Sequence, residues 1–156
     1  VTVSVLYWCA LHSSPVEPFT MAEFADIVDV SKKALQAQKI YYSHLDESPE
    51  SRQKLLGMYL PSPSHALMSW NGHDLGTAEA IGQYHANLPK TKHVIKCLDA
   101  QPLPGNDGGD SFFVTVTGTA TYDDEHVRHF FQRLVFALID KKLYIVHDYL
   151  RWTGEG

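Results

Sequence analysis

From Met21 onward the apolar positions Phe24, Ile27, Val28, Ala34, Leu35, Tyr41, Tyr42 and Leu45 recur at helical spacing, interrupted by polar Ser31 and Gln38. That period predicts one long amphipathic helix. Ser48-Pro49-Glu50-Ser51 then supplies a cap with proline just inside it, and Leu55, Leu56 and Tyr59 form the buried side of a short second helix ended by Pro61 and Pro63. Ala66 to Trp70 reads as a strand turned by Asn71-Gly72, the pair best able to take the positive φ of a type I′ hairpin, with its partner strand at His73 to Gly76. Thr77 caps a third helix that runs to Leu88, where Pro89 stops it.

Beyond Pro89 the period falls to two. His93 to Ala100 is strand-like, and Leu98-Asp99-Ala100-Gln101-Pro102 sets a carboxylate and an amide at its end. Pro102 has no N–H for a ladder and marks a strand end or an edge, which leaves Asp99 at a rim where another molecule can reach it. Leu103 to Ser111, with Gly105, Gly108 and Gly109, has the composition of a mobile connection. Phe112 to Tyr122 alternates Phe112, Val114, Val116, Gly118 and Ala120 against Phe113, Thr115, Thr117, Thr119 and Thr121, a half-buried strand. Val127 to Ile139 and Leu143 to Trp152 pair through a turn at Asp140-Lys141-Lys142. Helices grouped first and strands grouped last imply an α+β domain, a curved antiparallel sheet wrapped around a long N-terminal helix and two shorter helices.

One strand departs from the inside-outside rule. In Val127 to Ile139, Phe130, Leu134, Phe136 and Leu138 occupy one parity, yet Phe131, Val135, Ala137 and Ile139 share the other with His129 and Arg133. A sheet wetted on one face does not carry apolar area on both. Three helices suffice for the concave face, so a second protein is expected on the other.

Composition narrows the partner. The chain has 156 residues, 44% hydrophobic and 20% charged, which suits one soluble domain. A formal charge of -5, with the pairs Lys32-Lys33, Lys90/Lys92 and Lys141-Lys142 scattered along the chain, opposes direct binding of nucleic acid, which needs clustered cations. Only Cys9 and Cys97 are present, too few for a disulfide framework, and this fits a reducing compartment. No apolar run reaches the ~20 residues of a membrane-spanning helix. Val1 to Leu11 resembles the apolar part of a signal peptide, but no Lys or Arg precedes it and no clear cleavage site follows. Met21-Ala22-Glu23-Phe24 reads like a natural start. Residues 1–20 are therefore expected to be an extension outside the fold, and 21–156 a single domain.

Several motifs occur in one order: Tyr41-Tyr42, Leu56 with Met58-Tyr59-Leu60, Ser69-Trp70-Asn71-Gly72, Leu88-Pro89, Leu98-Asp99-Ala100-Gln101-Pro102, Phe130-Phe131-Gln132 and Asp148-Tyr149-Leu150-Arg151-Trp152. In that order they resemble the nuclear transport factor 2 superfamily over about Ala34 to Trp152, and most of all its branch of nuclear transport factor 2-related export proteins. The resemblance implies a cone-like α+β fold and a non-catalytic small subunit whose sheet packs face to face on the related domain of a large mRNA export receptor. It also implies export of mRNA through nuclear pores, residence in the nucleus, at the pore and in the cytoplasm, contact with Phe-Gly nucleoporins through the complex, and no cofactor. The acid of the family's Asp-x-Gln-Pro motif, Asp99 here, pairs with an arginine of the large subunit, a geometry that selects strongly when bidentate. Gln101 either holds Asp99 or donates across the interface. Strand parity adds Phe113, Thr115, Thr117, Phe131, Arg133, Val135 and Arg151 as further contacts, an assignment that a single bulge would invert. The runner-up within the superfamily is a homodimeric transport adaptor that binds Ran in its GDP form and Phe-Gly nucleoporins.

An enzyme reading draws on the cone interior, where Tyr41, Tyr42, His85, His147 and Asp148 assemble on paper into a dehydratase- or isomerase-like site. Against it, Trp70, Tyr84, Phe130, Leu134 and Phe136 fill that interior, and His147 and Asp148, as neighbours on a strand, point to opposite faces. Nine histidines suggest a metal, yet only His126 and His129 are close, and no paired metal motif is present. Asp123-Asp124-Glu125 reads as a solvated acidic turn.

Overall fold

The computed structural model describes residues 2–4, 21–61, 67–103 and 111–155. Its first strand, β1, is Thr2–Ser4, and helix α1 runs from Met21–Glu47. Val30, Ala34, Ala37, Tyr41, Tyr42 and Leu45 of α1 are buried at spacings of three and four; Ala34, Tyr41, Tyr42 and Leu45 are positions the apolar period predicts, whereas Val28 is 36% exposed and Val30 and Ala37 complete the stripe instead. The chain re-enters helix at once. The Ser48 hydroxyl accepts from the Ser51 backbone N–H (3.1 Å) and Pro49 occupies the first turn of α2, Pro49–Arg52, which tightens into a 3₁₀ segment, Gln53–Met58. Helix α3, Ala78–Ala86, is capped by Thr77, which accepts from the Ala80 N–H at 3.1 Å.

Six further strands complete the sheet: β2 Met68–Trp70, β3 His73–Leu75, β4 Thr91–Pro102, β5 Ser111–Tyr122, β6 His126–Ile139 and β7 Lys142–Glu155. Their order is β1-β4-β5-β6-β7-β2-β3. The four long strands pair antiparallel as expected, and β2 and β3 form the hairpin turned by Asn71 (φ 49) and Gly72 (φ 90). Parallel pairs extend this antiparallel sheet at both sides. Strand β2 joins β7 in parallel, and β1 joins β4 in parallel; each pair is far apart in the chain, with helices and other strands between its members, so no tight turn forces it antiparallel. Of the extension expected outside the fold, Thr2–Ser4 pairs with Cys97–Asp99, while 5–20 lie outside the described residues. The core of the glycine-rich connection, 104–110, is likewise outside them; its ends are joined by the Leu103 N–H donating to the Ser111 carbonyl at 2.9 Å.

Strand β4 carries an irregularity that its sequence did not announce. The ladder pairs Ile95 with Gly118 and Cys97 with Thr117, so Lys96 is an extra residue without a counterpart. Gly118 permits it: a Cβ there would stand 2.2 Å from the Val94 carbonyl oxygen.

Helix α1 packs on the inner face through residues that meet Leu98, Ala100, Phe112, Val114, Val116, Phe130, Leu134, Phe136, Ile145 and Leu150 in one core. Deep beside it lies Arg52, only 2% exposed. Its guanidinium donates to the carbonyls of Leu45 (2.7 Å), His85 (3.2 Å), Leu88 (2.6 Å) and Pro89 (2.8 Å) and to the Thr91 hydroxyl (3.2 Å). One cation thereby satisfies the carbonyl ends of α1 and α3 together, where helix dipoles favour positive charge.

Candidate functional site

Register across β4, β5, β6 and β7 sorts the outer side chains into rows. Asp99 pairs with Thr115, Thr115 with Arg133, and Arg133 with Tyr149. Gln101, Phe113, Val135 and His147 form the row on one side of it, and Cys97, Thr117, Phe131 and Arg151 the row on the other. All nine residues singled out from the sequence, Asp99, Gln101, Phe113, Thr115, Thr117, Phe131, Arg133, Val135 and Arg151, thus lie on one face. Sequence reading missed His147 and Tyr149 of the same face, although they share the parity of Arg151 on β7. The bulge did not invert the rows, because it lies before Cys97 and the motif follows it.

This face is unlike a wetted one. Phe113, Phe131 and Val135 are half-buried by their neighbours alone, Phe131 meets the Tyr149 ring edge-on at 6.5 Å, and Leu103, Phe113, Arg133 and Val135 line a shallow hollow of about 160 Å³. Arg151 reaches over the β2–β3 turn, its guanidinium 3.5 Å from where a Gly72 side chain would begin. Asp99 is not at a bare rim as expected: Ser4 of β1 lies beside it, so the carboxylate stands one strand in from the edge. Among the described residues its Oδ1 is buried without a hydrogen-bond partner, and its Oδ2 is met by the Cys97 thiol at 3.7 Å. A carboxylate oxygen withdrawn from water with nothing donating to it is costly, unlike a satisfied one.

The opposite face holds a second carboxylate in a different state. Asp148 is fully buried; its Oδ2 accepts from the hydroxyls of Tyr59 (2.7 Å) and Tyr41 (3.1 Å), and its Oδ1 from the Gln132 amide (2.8 Å). The Tyr42 hydroxyl donates to the Gln132 carbonyl oxygen at 2.5 Å. Burial pushes Asp148 up to about 6, against the pull of the hydrogen bonds from Gln132, Tyr59 and Tyr41. The three tyrosines are held well above their ordinary range, first by burial and then by neighbouring negative charge.

Of the residues of the enzyme reading, Tyr41, Tyr42 and Asp148 come together, joined by Tyr59 and Gln132, which that reading lacked. His147 lies on the outer face opposite Val135, and His85 lies apart, against Trp70 and Tyr84. Neither ring nitrogen of His85 has a partner, and burial, followed by the nearby Arg52 and His93, pushes its pKa down to about 4. The inner carboxylate's oxygens face donors of the chain itself, which makes this network a brace between α1, the 3₁₀ segment, β6 and β7. Among the described residues no three His, Cys, Asp or Glu side chains gather as metal ligands, and no helix is long and apolar enough to cross a membrane.

Comparison with known proteins fits this two-faced sheet. Residues 33–152 match the nuclear transport factor 2 (NTF2) domain. A Caenorhabditis elegans "NTF2-related export protein" is 30% identical over 84% of this chain and 91% of its own, and the human "NTF2-related export protein 2" is 26% identical over 73% and 78%. The solved structure of nuclear transport factor 2 from Cryptosporidium parvum superposes with a TM-score of 0.64 at 23% identity, covering 82% of this chain and 95% of that one. The chain therefore belongs to the nuclear transport factor 2 superfamily. Within it, the chain falls in the family of NTF2-related export proteins.

Proposed function

We propose that this chain is the non-catalytic small subunit of a heterodimeric mRNA export receptor, joined to the large subunit through the outer face of its sheet. The observation that carries the reading is Asp99, whose buried Oδ1 has no donor on a face with half-buried Phe113, Phe131 and Val135. An arginine of the partner supplies what this oxygen lacks, two N–H groups in a plane with a compensating charge. The apolar rows around it supply the contact area that a single exposed ion pair cannot. The export-protein relatives support the choice of partner. In this role the subunit works in the nucleus, at the pore and in the cytoplasm, and meets Phe-Gly nucleoporins as part of the complex.

Co-expression with the large receptor subunit tests the proposal, read by size-exclusion chromatography with light scattering. A one-to-one complex is expected, and Asp99→Arg abolishes it with the far-UV circular dichroism spectrum unchanged. Retention of the partner by the Asp99→Arg variant overturns the assignment. A stable homodimer that binds Ran in its GDP form and ignores the receptor replaces it with the homodimeric adaptor.

A further inference from the structure

The bulge in β4 adds something to the outer face that its alternation does not contain. Before the bulge the inward residues are Thr91, His93 and Ile95, and after it they are Leu98 and Ala100. Lys96 and Cys97 are consecutive, yet both fall on the outward side. A bulge re-aims a side chain in this way at the cost of ladder hydrogen bonds. The cost here is compounded by a glycine in the middle of β5, since Gly118 has the Val94 carbonyl oxygen only 2.2 Å from where its Cβ would be.

What the bulge presents is an uncompensated charge. Lys33 and Lys90 each hold an acidic partner, Asp29 at 2.7 Å and Asp124 at 2.7 Å. Lys96 is exposed and has no ion pair or hydrogen bond among the described residues. It stands on the same strand and the same face as Asp99, three residues away, on the order of 10 Å along an extended chain. The outer side of β4 thus displays two cations without an ion pair among the described residues, Lys92 and Lys96, and Lys96 is the one that stands near Asp99.

We propose that Lys96 is the second charged contact of the interface and takes a carboxylate of the large export receptor subunit while Asp99 takes its arginine. This rests on the reading of the outer face given above and adds to it a determinant of specificity. A partner turned end for end brings its arginine against Lys96 and its carboxylate against Asp99, so the reciprocal pair selects orientation as well as identity. Because Lys96 is exposed, its contribution lies mainly in the rate of association and in salt dependence.

The experiment is carbodiimide cross-linking of the co-expressed complex with peptide mass spectrometry, alongside titration of the large subunit with Lys96→Gln and Lys96→Glu. Carbodiimide activates a carboxylate, and attack by the lysine amine forms an amide with release of the urea, so only a contacting pair is joined. A Lys96 peptide linked to an Asp or Glu of the receptor is expected, lost in Lys96→Gln. Lys96→Glu should weaken affinity 10- to 100-fold, Lys96→Gln by less, and both should flatten the salt dependence of the association rate. Unchanged affinity of Lys96→Glu in a chain whose Asp99→Arg variant is dead overturns the inference and leaves the proposed function standing. Failure of the unmodified chain to bind the receptor overturns both.

Discussion

Asp99 and Asp148 are carboxylates on the same sheet, both drawn away from water, and they differ in where their hydrogen bonds come from. Asp148 on the inner face receives three side-chain donors, from α1, the 3₁₀ segment and β6. Asp99 on the outer face has a buried oxygen that receives none. A buried charge answered within its own chain braces the fold, whereas one left unanswered among the described residues is open to a donor from another molecule. Changes on the inner face should therefore act on stability, and changes on the outer face on association.

The largest effect is expected where the inner side has most to lose. Arg52→Met removes five donated hydrogen bonds and strands the carbonyls that end α1 and α3, which costs roughly 3–5 kcal/mol. Urea denaturation of the free subunit reads it, and a loss below about 1 kcal/mol would break the comparison. Asp99→Asn is the outer counterpart. Free-subunit stability should stay within about 1 kcal/mol, while receptor binding weakens by roughly 2–5 kcal/mol because the partner's arginine is left buried beside a neutral amide. Equal losses in both assays would place Asp99 in the architecture instead.

Acid titration sharpens the contrast within the interior. Asp148 is raised from 3.8 to about 6, so its folded form takes a proton before the unfolded chain does, and stability from this group rises as pH falls from 6 to 4. His85 is lowered from 6.5 to about 4, so the unfolded chain takes the proton first, and stability from this group is lost as pH falls from 6.5 to 4. Each contribution is on the order of 3 kcal/mol and the two oppose each other. Asp148→Asn should unmask the histidine and make the fold acid-labile in that window, whereas His85→Phe should leave a fold that gains stability on acidification. Urea midpoints at stepped pH measure both, and parallel pH profiles for the two variants would contradict the assignment. The smallest effect on the fold is expected from Phe131→Thr, which places a strand-favouring β-branched residue on the outer face. Unfolding free energy should shift by less than about 0.5 kcal/mol while binding weakens measurably.

Much of this arrangement was legible from residue order, and the exceptions share a cause. Ser48 and Thr77 announced helix starts, Asn71-Gly72 a turn, and the Phe-Thr alternation of β5 a two-faced strand, because caps, positive φ and a period of two are set by residues within a few positions of each other. Arg52 and Gln132 gave no such signal. A guanidinium reads as solvated until four carbonyls from distant segments surround it, and Gln132 reads as a polar break in an apolar strand until Tyr42 and Asp148 arrive from α1 and β7. Outer-face membership of the nine site residues followed from parity, but the rows that join them depend on pairing.

The amino-acid sequence by itself determined the long helix, the caps, the hairpin turn and the two-sided character of the long strands, and it carried the resemblance to the family, since local sterics, capping and apolar period act along the chain. Tertiary structure alone decided that Asp148 is answered and Asp99 is not, that β1 and β2 add in parallel, and that a bulge against Gly118 turns Lys96 outward. Those outcomes depend on which groups meet across space, and hydrogen-bond satisfaction and steric room are properties of that meeting.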